Sequence, residues 1–190
     1  MGSSMSSLYT IVDGPSWTEA EVNSIPTPTP EPIIRGNSLY FIVKARLWED
    51  GEKNASNIGG YLAVISDAGE NQFLTDYAVK NETDFWFGYT DKLKEGQWEW
   101  SISENSDYTN WWPGNPSNSS GLEHYALLQQ DGFWNDLGNY YWDFGAGAEG
   151  VVKGVAEIPF IRRGDSAYVI VEGPTWEEAE ANAVALGGHL

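Results

Sequence analysis

The residues equipped for chemistry gather in Asn110-Trp111-Trp112-Pro113-Gly114-Asn115-Pro116-Ser117-Asn118, then Glu123, then Trp134-Asn135-Asp136. Amide, hydroxyl and carboxylate oxygens stand on both sides of Pro116, followed by an isolated acid and an adjacent Asn-Asp pair. Oxygen-only donors on loop residues are what a hard cation such as calcium requires. Trp111 and Trp112 beside them offer flat, amphipathic rings on which a ligand can stack; burial under the loop is the alternative for at least one of the two. Catalysis has little to work with. Glu95 and Glu99 would have to serve as the carboxyl pair of a glycosidase, yet Glu99 alternates with Trp98 and Trp100, which read as core. No Ser-His-Asp set, phosphate-cradling glycine loop or zinc spacing stands out, so the chain reads as a binding module and not an enzyme. His124 reads as a loop residue, because no second histidine lies near it and His189 belongs to another segment.

Charge narrows the partners. Against 28 Asp and Glu the chain sets only 10 Lys and Arg, a net charge of -18. Phosphate backbones need clusters of cationic side chains, so nucleic acid and anionic membranes are excluded as partners, and no apolar run is long enough for membrane insertion. The acidity suits divalent cations, neutral ligands or a solvated face. With 10 Trp, 10 Tyr and 7 Phe, the chain has the material for a sizeable core despite its charge. The absence of cysteine excludes disulfides and thiolate zinc sites. Residues 1–7 lack the apolar centre of a signal peptide, so an export signal is expected elsewhere on a longer parent protein.

The elements that must position the polar groups are laid out by a repeat. The run from Ser7-Leu8-Tyr9 to Gly14-Pro15-Ser16-Trp17-Thr18-Glu19 returns as Ser166-Ala167-Tyr168 to Gly173-Pro174-Thr175-Trp176-Glu177-Glu178. A divergent copy starts at Ser38-Leu39-Tyr40 and continues to Trp48-Glu49-Asp50-Gly51. Tyr40 and Tyr168 stand 128 residues apart, one full unit, whereas Tyr9 and Tyr40 are only 31 apart. The final Gly187-Gly188-His189-Leu190 echoes Gly59-Gly60-Tyr61-Leu62. The expected layout is a truncated opening and Pro-rich linker over residues 1–36, one complete domain over 37–160, and a linker with the opening strand and helix of a further repeat over 161–190. Such a short piece cannot bury a core alone; it docks on the complete domain, pairs with another chain, or stays mobile.

Within the complete domain the reading is α+β. Ser16 with Glu19 and Thr175 with Glu178 have capping-box spacing, but the equivalent helix near Trp48 starts at Leu47, which cannot cap, and carries Gly51 in its interior. Packing of Trp48 and Ile58 must hold it. Asp67 with Glu70 caps a second helix whose Phe73, Leu74, Tyr77 and Ala78 share one face. Phe85-Trp86-Phe87-Gly88, Gln97-Trp98-Glu99-Trp100, Tyr125-Ala126-Leu127-Leu128 and 150–158 read as strands, with Trp86, Trp98, Trp100 and Trp134 in the core. Residues 101–123 form a long polar loop, a length uncommon unless functional.

This order, with Phe-Trp-Phe-Gly, Trp-Glu-Trp and Trp-Asn-Asp as its most diagnostic pieces, resembles the C-type lectin-like fold over nearly all of 37–160. The resemblance implies two helices flanking small antiparallel sheets, with a long ligand-binding loop. It implies a cis Pro116 flanked by calcium ligands Asn115 and Ser117, with Glu123, Asn135 and Asp136 completing the set and sharing it with sugar hydroxyls. Asn115, Glu123, Asn135, Asp136, Trp111 and Trp112 are then the ligand-binding residues. Asn115 and Ser117 depart from the family's usual Glu before and Asn or Asp after the proline, so weak calcium binding is expected. An accessory calcium site would need acids at Asn118 and His124, and is expected to be lost. Tandem, cysteine-free copies resemble repeats of large bacterial, particularly cyanobacterial, surface proteins. The implied function is a calcium-dependent module binding glycans or glycoconjugates for adhesion at the cell surface or outside the cell, beside neighbouring repeats. The alternative is a calcium-independent structural or protein-interaction module.

Overall fold

A computed structural model of the chain describes residues 7–12, 31–139, 152–163, 166–171, 175–186 and 188–190. The capping box read at Ser16 and Glu19 and most of the Pro-rich linker lie outside the described residues. The elements run β1 (Ser7–Val12), β2 (Ile33–Arg35), β3 (Ser38–Lys44), α1 (Trp48–Asn57), β4 (Tyr61–Leu62), α2 (Ala68–Lys80), β5 (Asp84–Thr90) and β6 (Glu99–Trp100). They continue with a 3-10 turn (Ser119–Gly121), β7 (Tyr125–Leu128), β8 (Trp134–Leu137), β9 (Val152–Pro159), β10 (Ile161–Arg163), β11 (Ser166–Val171) and α3 (Trp176–Ala185).

The larger sheet is ordered β2-β3-β9-β5-β7-β8, with β4 added on β9 and β6 on β5. It is mixed, where small antiparallel sheets were expected. β9 enters between β3 and β5, runs antiparallel to β3, and so lies parallel to β5 from Asp84↔Val152 to Trp86↔Gly154. A strand in that position is covered on both faces, which explains the unbroken apolar run of β5: Phe85, Trp86 and Phe87 are all fully buried. Trp134–Leu137, read only as a motif in the sequence, is a strand paired with β7. The strand read at 97–100 shrinks to Glu99–Trp100, and Trp98 is half-buried against the aromatic core.

The helices divide as the capping residues dictate. Asp67 accepts a hydrogen bond from the Glu70 N–H at 2.8 Å and starts α2. Glu70 itself turns inward, where it accepts from the Tyr40 hydroxyl and, at 2.8 Å, from the Ser66 N–H. Leu47 caps α1 with no side-chain bond. That helix is held by packing, with buried Trp48 donating its indole N–H to the Phe87 carbonyl at 2.7 Å. Gly51 has a role beyond weakening the helix: a Cβ there would lie 3.0 Å from Ala45 Cβ and 3.3 Å from Leu62 Cδ2, so glycine lets α1 sit close on the sheet.

Among the described residues there is a third helix, α3, opened by the capping box expected at Thr175 and Glu178. It belongs to the second sheet, β1-β11-β10. Residues of 161–190 pack on preceding elements: Val169, Ala183 and Leu186 are buried in one cluster with Leu39, Phe41, Ala55 and Ile158. The docking is partial. Trp176, at the position equivalent to Trp48 in the repeat, is 66% exposed against 7% for Trp48. Among the described residues no helix is long and apolar enough to cross a membrane.

Candidate ligand-binding site in the long loop

The site is built on a floor of aromatic rings. Trp134 is fully buried, with its ring centroid 4.8 Å from that of Phe87 and 5.6 Å from that of Trp111. Its indole N–H donates to Asn71 Oδ1 on α2 at 2.7 Å, and the same Asn71 donates from Nδ2 to the Gly132 carbonyl at 2.8 Å. One buried amide thus ties α2 to the turn before β8. The Trp134 backbone then holds the loop from both sides: its N–H donates to the Asn110 carbonyl at 2.9 Å, and its carbonyl accepts from the Trp112 N–H at 2.8 Å. Burial raises the Tyr89 phenol in this aromatic cluster above its ordinary value, keeping the floor neutral.

From there the chain turns through Gly114, whose φ of 103° belongs to the left-handed side that glycine adopts without strain, and reaches the cis Asn115–Pro116 bond. Asn115 donates from Nδ2 to Asn135 Oδ1. On the other side of the proline, the Ser117 N–H lies 2.9 and 2.8 Å from Asp136 Oδ1 and Oδ2, and the Asn118 N–H lies 2.6 Å from Oδ2. Ser117 Oγ donates to Glu123 Oε2 at 3.1 Å, and the Ser119 N–H donates to the same oxygen at 2.5 Å. Asn118 accepts the Glu123 N–H through its side chain at 3.2 Å. The structure therefore has two hydrogen-bonded sets on either side of Pro116, Asn115 with Asn135 and Ser117 with Glu123 and Asp136.

The arrangement has two chemical consequences. A cation entering the group meets two carboxylates, two amide oxygens and a hydroxyl, a donor set of the kind that suits a hard ion. It must also compete with the backbone, because two N–H groups already bond Asp136, which is 1% exposed. A carboxylate offers about four lone-pair sites, so coordination there is possible but opposed. The two loop tryptophans separate. Trp111 packs into the aromatic floor, 4.6 Å from Trp98 between ring centroids, whereas Trp112 is 45% exposed and meets Phe133 edge to face. Trp86, Trp98, Trp100 and Trp134 all lie in or against the core, as read from the sequence.

Sequence reasoning missed a second convergence nearby. The Asp91 carboxyl, 1% exposed, and Glu95 both face the ring of His124, with Nδ1 at 3.0 Å from Asp91 Oδ1 and 3.5 Å from Glu95 Oε2. The Asp91–Glu95 spacing was visible in the sequence; that His124 joins them depends on the pairing of β7 with β5, for which no local signal exists.

Comparison with known proteins bears on the family and the fold. The sequence profile of the family described as "Lectin C-type domain" matches residues 44–141, just over half of the chain. Perlucin of Haliotis laevigata is 39% identical over 85 residues, covering 44% of this chain and 52% of perlucin. This chain therefore spans about half of perlucin's length. A solved structure, the cow C-type carbohydrate-recognition domain of CD23 in the presence of a GlcNAc2Man3 oligosaccharide, superimposes with a TM-score of 0.59 at 26% identity, over 72% of this chain and 98% of that one. A calcium-independent type II antifreeze protein shares the fold, with a TM-score of 0.56 at 21% identity over 68% of this chain and 92% of its own.

Proposed function

We propose that this chain, which belongs to the C-type lectin domain family, is a carbohydrate-binding module that takes glycans through a weakly held loop calcium. The observation that carries the reading is the pair of hydrogen-bonded sets flanking Pro116, Asn115 with Asn135 on one side and Ser117 with Glu123 and Asp136 on the other. Calcium would be held by those side-chain oxygens and would supply a Lewis-acidic point for vicinal sugar hydroxyls. Asn115, Glu123, Asn135 and Asp136 would hydrogen-bond the same hydroxyls. Of the two loop tryptophans, the 45% exposure of Trp112 favours it over Trp111 for stacking on a sugar face. Two charged ligands, Glu123 and Asp136, are few for calcium, and affinity falls with ligand charge. The related cow domain seen in the presence of an oligosaccharide supports the ligand class.

The module is proposed to act outside the cell or at its surface in adhesion, as one repeat of a longer protein: a truncated opening over 1–36, a complete unit over 37–160 and the start of the next over 161–190. The internal copies support that layout. The expectation of a bacterial or cyanobacterial parent draws no support from relatives such as perlucin, an animal protein.

A calcium-independent structural or protein-interaction role is the second reading. It is favoured by the Ser117 and Asn118 N–H groups, which already compensate the Asp136 charge without an ion. A glycan array probed with and without chelator separates the two. Binding lost on chelation is expected; chelator-resistant binding, or none, would favour the second reading.

A further inference from the structure

We infer that the edge of β11 now covered by β1 is a pairing site for a second copy of this chain, and that two chains exchange their β1 strands in a two-fold dimer. The register of β1 on β11 carries the inference. The two strands are copies of one repeat, with Ser7 equivalent to Ser166 and Val12 to Val171. They pair antiparallel from Ser7↔Val171 to Val12↔Ser166, so the first residue of each copy stands opposite the last of the other. Thr10↔Tyr168 has its mirror image in Tyr9↔Val169. A strand paired with its own copy about a local two-fold axis is the arrangement of an isologous interface, in which one patch serves both partners. Here that interface is closed within a single chain.

β11 is the fixed half of the pair and β1 the exchangeable one. Val169 is buried among Leu39, Phe41 and Ile158 of the complete domain. The Ile170 carbonyl approaches so closely that a Cβ at Gly59 would lie 2.9 Å from it. The strand order β10-β11-β1 reproduces β2-β3-β9, so β1 takes on β11 the place that β9 takes on β3. β9, however, is enclosed between β3 and β5, whereas β1 ends its sheet and is bonded to β11 alone among the described strands.

The two strands do not discourage a second chain. Many edge strands carry charges or proline that block pairing between molecules, yet Ser7–Val12 and Ser166–Val171 contain neither, in a chain with 28 acidic and 10 basic residues. Residues 13–30, eighteen in number, join β1 to Glu31, whose carbonyl accepts from the Tyr77 hydroxyl at 2.9 Å. Eighteen residues reach at most about 60 Å, more than the breadth of an ordinary domain, so β1 can lie on a neighbour while Glu31 stays in place. Exchange replaces one ladder by an identical one, which makes it a low-cost route to a dimer. The net charge of -18 opposes association, and salt screens it. Two loop sites on one dimer would act together on a multivalent glycan; that consequence rests on the proposed glycan reading, whereas the pairing does not.

The chain has no cysteine, so introduced thiols report pairing without background. Thr10→Cys and Tyr168→Cys are made in separate full-length chains, unfolded together, refolded at high concentration in chelator, and oxidised. Opposed Cα atoms of an antiparallel pair lie about 4.5–5.5 Å apart, within disulfide reach. A disulfide joining one chain of each kind is expected, and light scattering of wild type refolded in the same way is expected to show a dimer that added salt favours. Ladder N–H groups alternate between the two sides of a strand, so one of Tyr9 and Thr10 donates toward β11. Tyr9→Pro combined with Thr10→Pro should therefore return the protein to monomer, while the complete domain, which β1 does not enter, keeps its melting transition. A wild type that is monomeric at every concentration and forms no mixed disulfide would overturn the inference. So would a dimer that survives the two prolines, which would put the interface elsewhere. Disulfides between two Thr10→Cys chains in place of the mixed product would show β1 pairing with β1 and overturn it equally.

Discussion

The Ser117 N–H stands 2.9 and 2.8 Å from the two carboxylate oxygens of Asp136, across the cis proline turn. Asp136 lies on β8 and Ser117 in the long loop, so one buried carboxylate couples a strand of the core to the residues that would hold a ligand. The same side chain is therefore both a structural anchor and a candidate cation ligand. The Asp136→Asn variant keeps one oxygen for Ser117 but sets an NH2 against the Asn118 N–H. Loss of hydrogen bonds to a charged, buried acceptor costs about 1.5–3 kcal/mol. Urea denaturation in chelator is expected to show a folded domain destabilised by that amount. An unchanged midpoint would mean that the loop does not depend on this carboxylate.

Asn71 makes a comparable prediction from the opposite side of the floor. Its amide satisfies the Trp134 indole N–H at 2.7 Å and the Gly132 carbonyl at 2.8 Å. In Asn71→Leu the Trp134 indole N–H loses its partner, at a cost of about 1–3 kcal/mol, while the Gly132 carbonyl keeps the Asn110 side-chain amide at 2.8 Å. Because Trp134 holds Asn110 and Trp112 through its backbone, amide exchange in the loop is expected to speed up together with the drop in stability. A stability loss that leaves loop exchange untouched would show that the floor and the loop are uncoupled.

Gly51 separates two opposed effects. Helix propensity alone makes Gly51→Ala stabilising by about 1 kcal/mol. The added Cβ, however, meets Ala45 Cβ at 3.0 Å and Leu62 Cδ2 at 3.3 Å on a buried face. Overpacking of that kind typically costs about 1–3 kcal/mol, so the net change in a denaturation curve is expected to be destabilising. A more stable Gly51→Ala protein would show that α1 can shift outward freely.

Acidity should act on stability through Glu157. Burial holds its carboxyl above the ordinary value, partly offset by the bonds it accepts from Ser38 at 2.7 Å and the Val64 N–H at 3.2 Å; Tyr40, Tyr61 and Glu70 are its titratable neighbours. The native state therefore keeps this proton to higher pH than the unfolded chain does, and stability falls as pH rises from the ordinary carboxylate range through the raised value. Half-buried Glu52 and Asp84 act in the same direction. Asp67 and Glu49, held low by Arg35 and Lys92, act oppositely at lower pH, where their contribution is lost as they protonate. Glu157→Gln is expected to flatten the decline above the carboxylate range by up to about 1.4 kcal/mol per pH unit, the limit for one proton. Equal slopes in chemical denaturation of the two proteins over that range would contradict it.

What was legible in the sequence was local. Phe85-Trp86-Phe87 announces a buried strand by β-propensity, Asp67 announces α2 by its cap, and Thr175 with Glu178 announces α3. The five loop donors could be grouped only through family resemblance, since residues 115 to 136 converge by tertiary pairing. β8 stayed hidden because its inward positions are Trp134 and Asp136, and a buried carboxylate breaks the apolar alternation that marks a strand. The parallel pairing of β5 with β9 and the meeting of Asp91 with His124 are non-local and leave no periodic trace. Gly51 misled for a similar reason: propensity describes the helix, whereas the close approach to Ala45 and Leu62 is set by the sheet beneath it.

The central claim, that the loop group binds calcium, is tested most directly by melting the wild type and Glu123→Gln in millimolar calcium and in chelator. Glu123 is half-buried and, among the described residues, bonds within the loop to Ser117, Ser119 and Asn118. The account predicts that calcium raises the wild-type melting temperature and leaves that of Glu123→Gln where chelator puts it. A wild type indifferent to calcium, or a variant with the full calcium response, would contradict it.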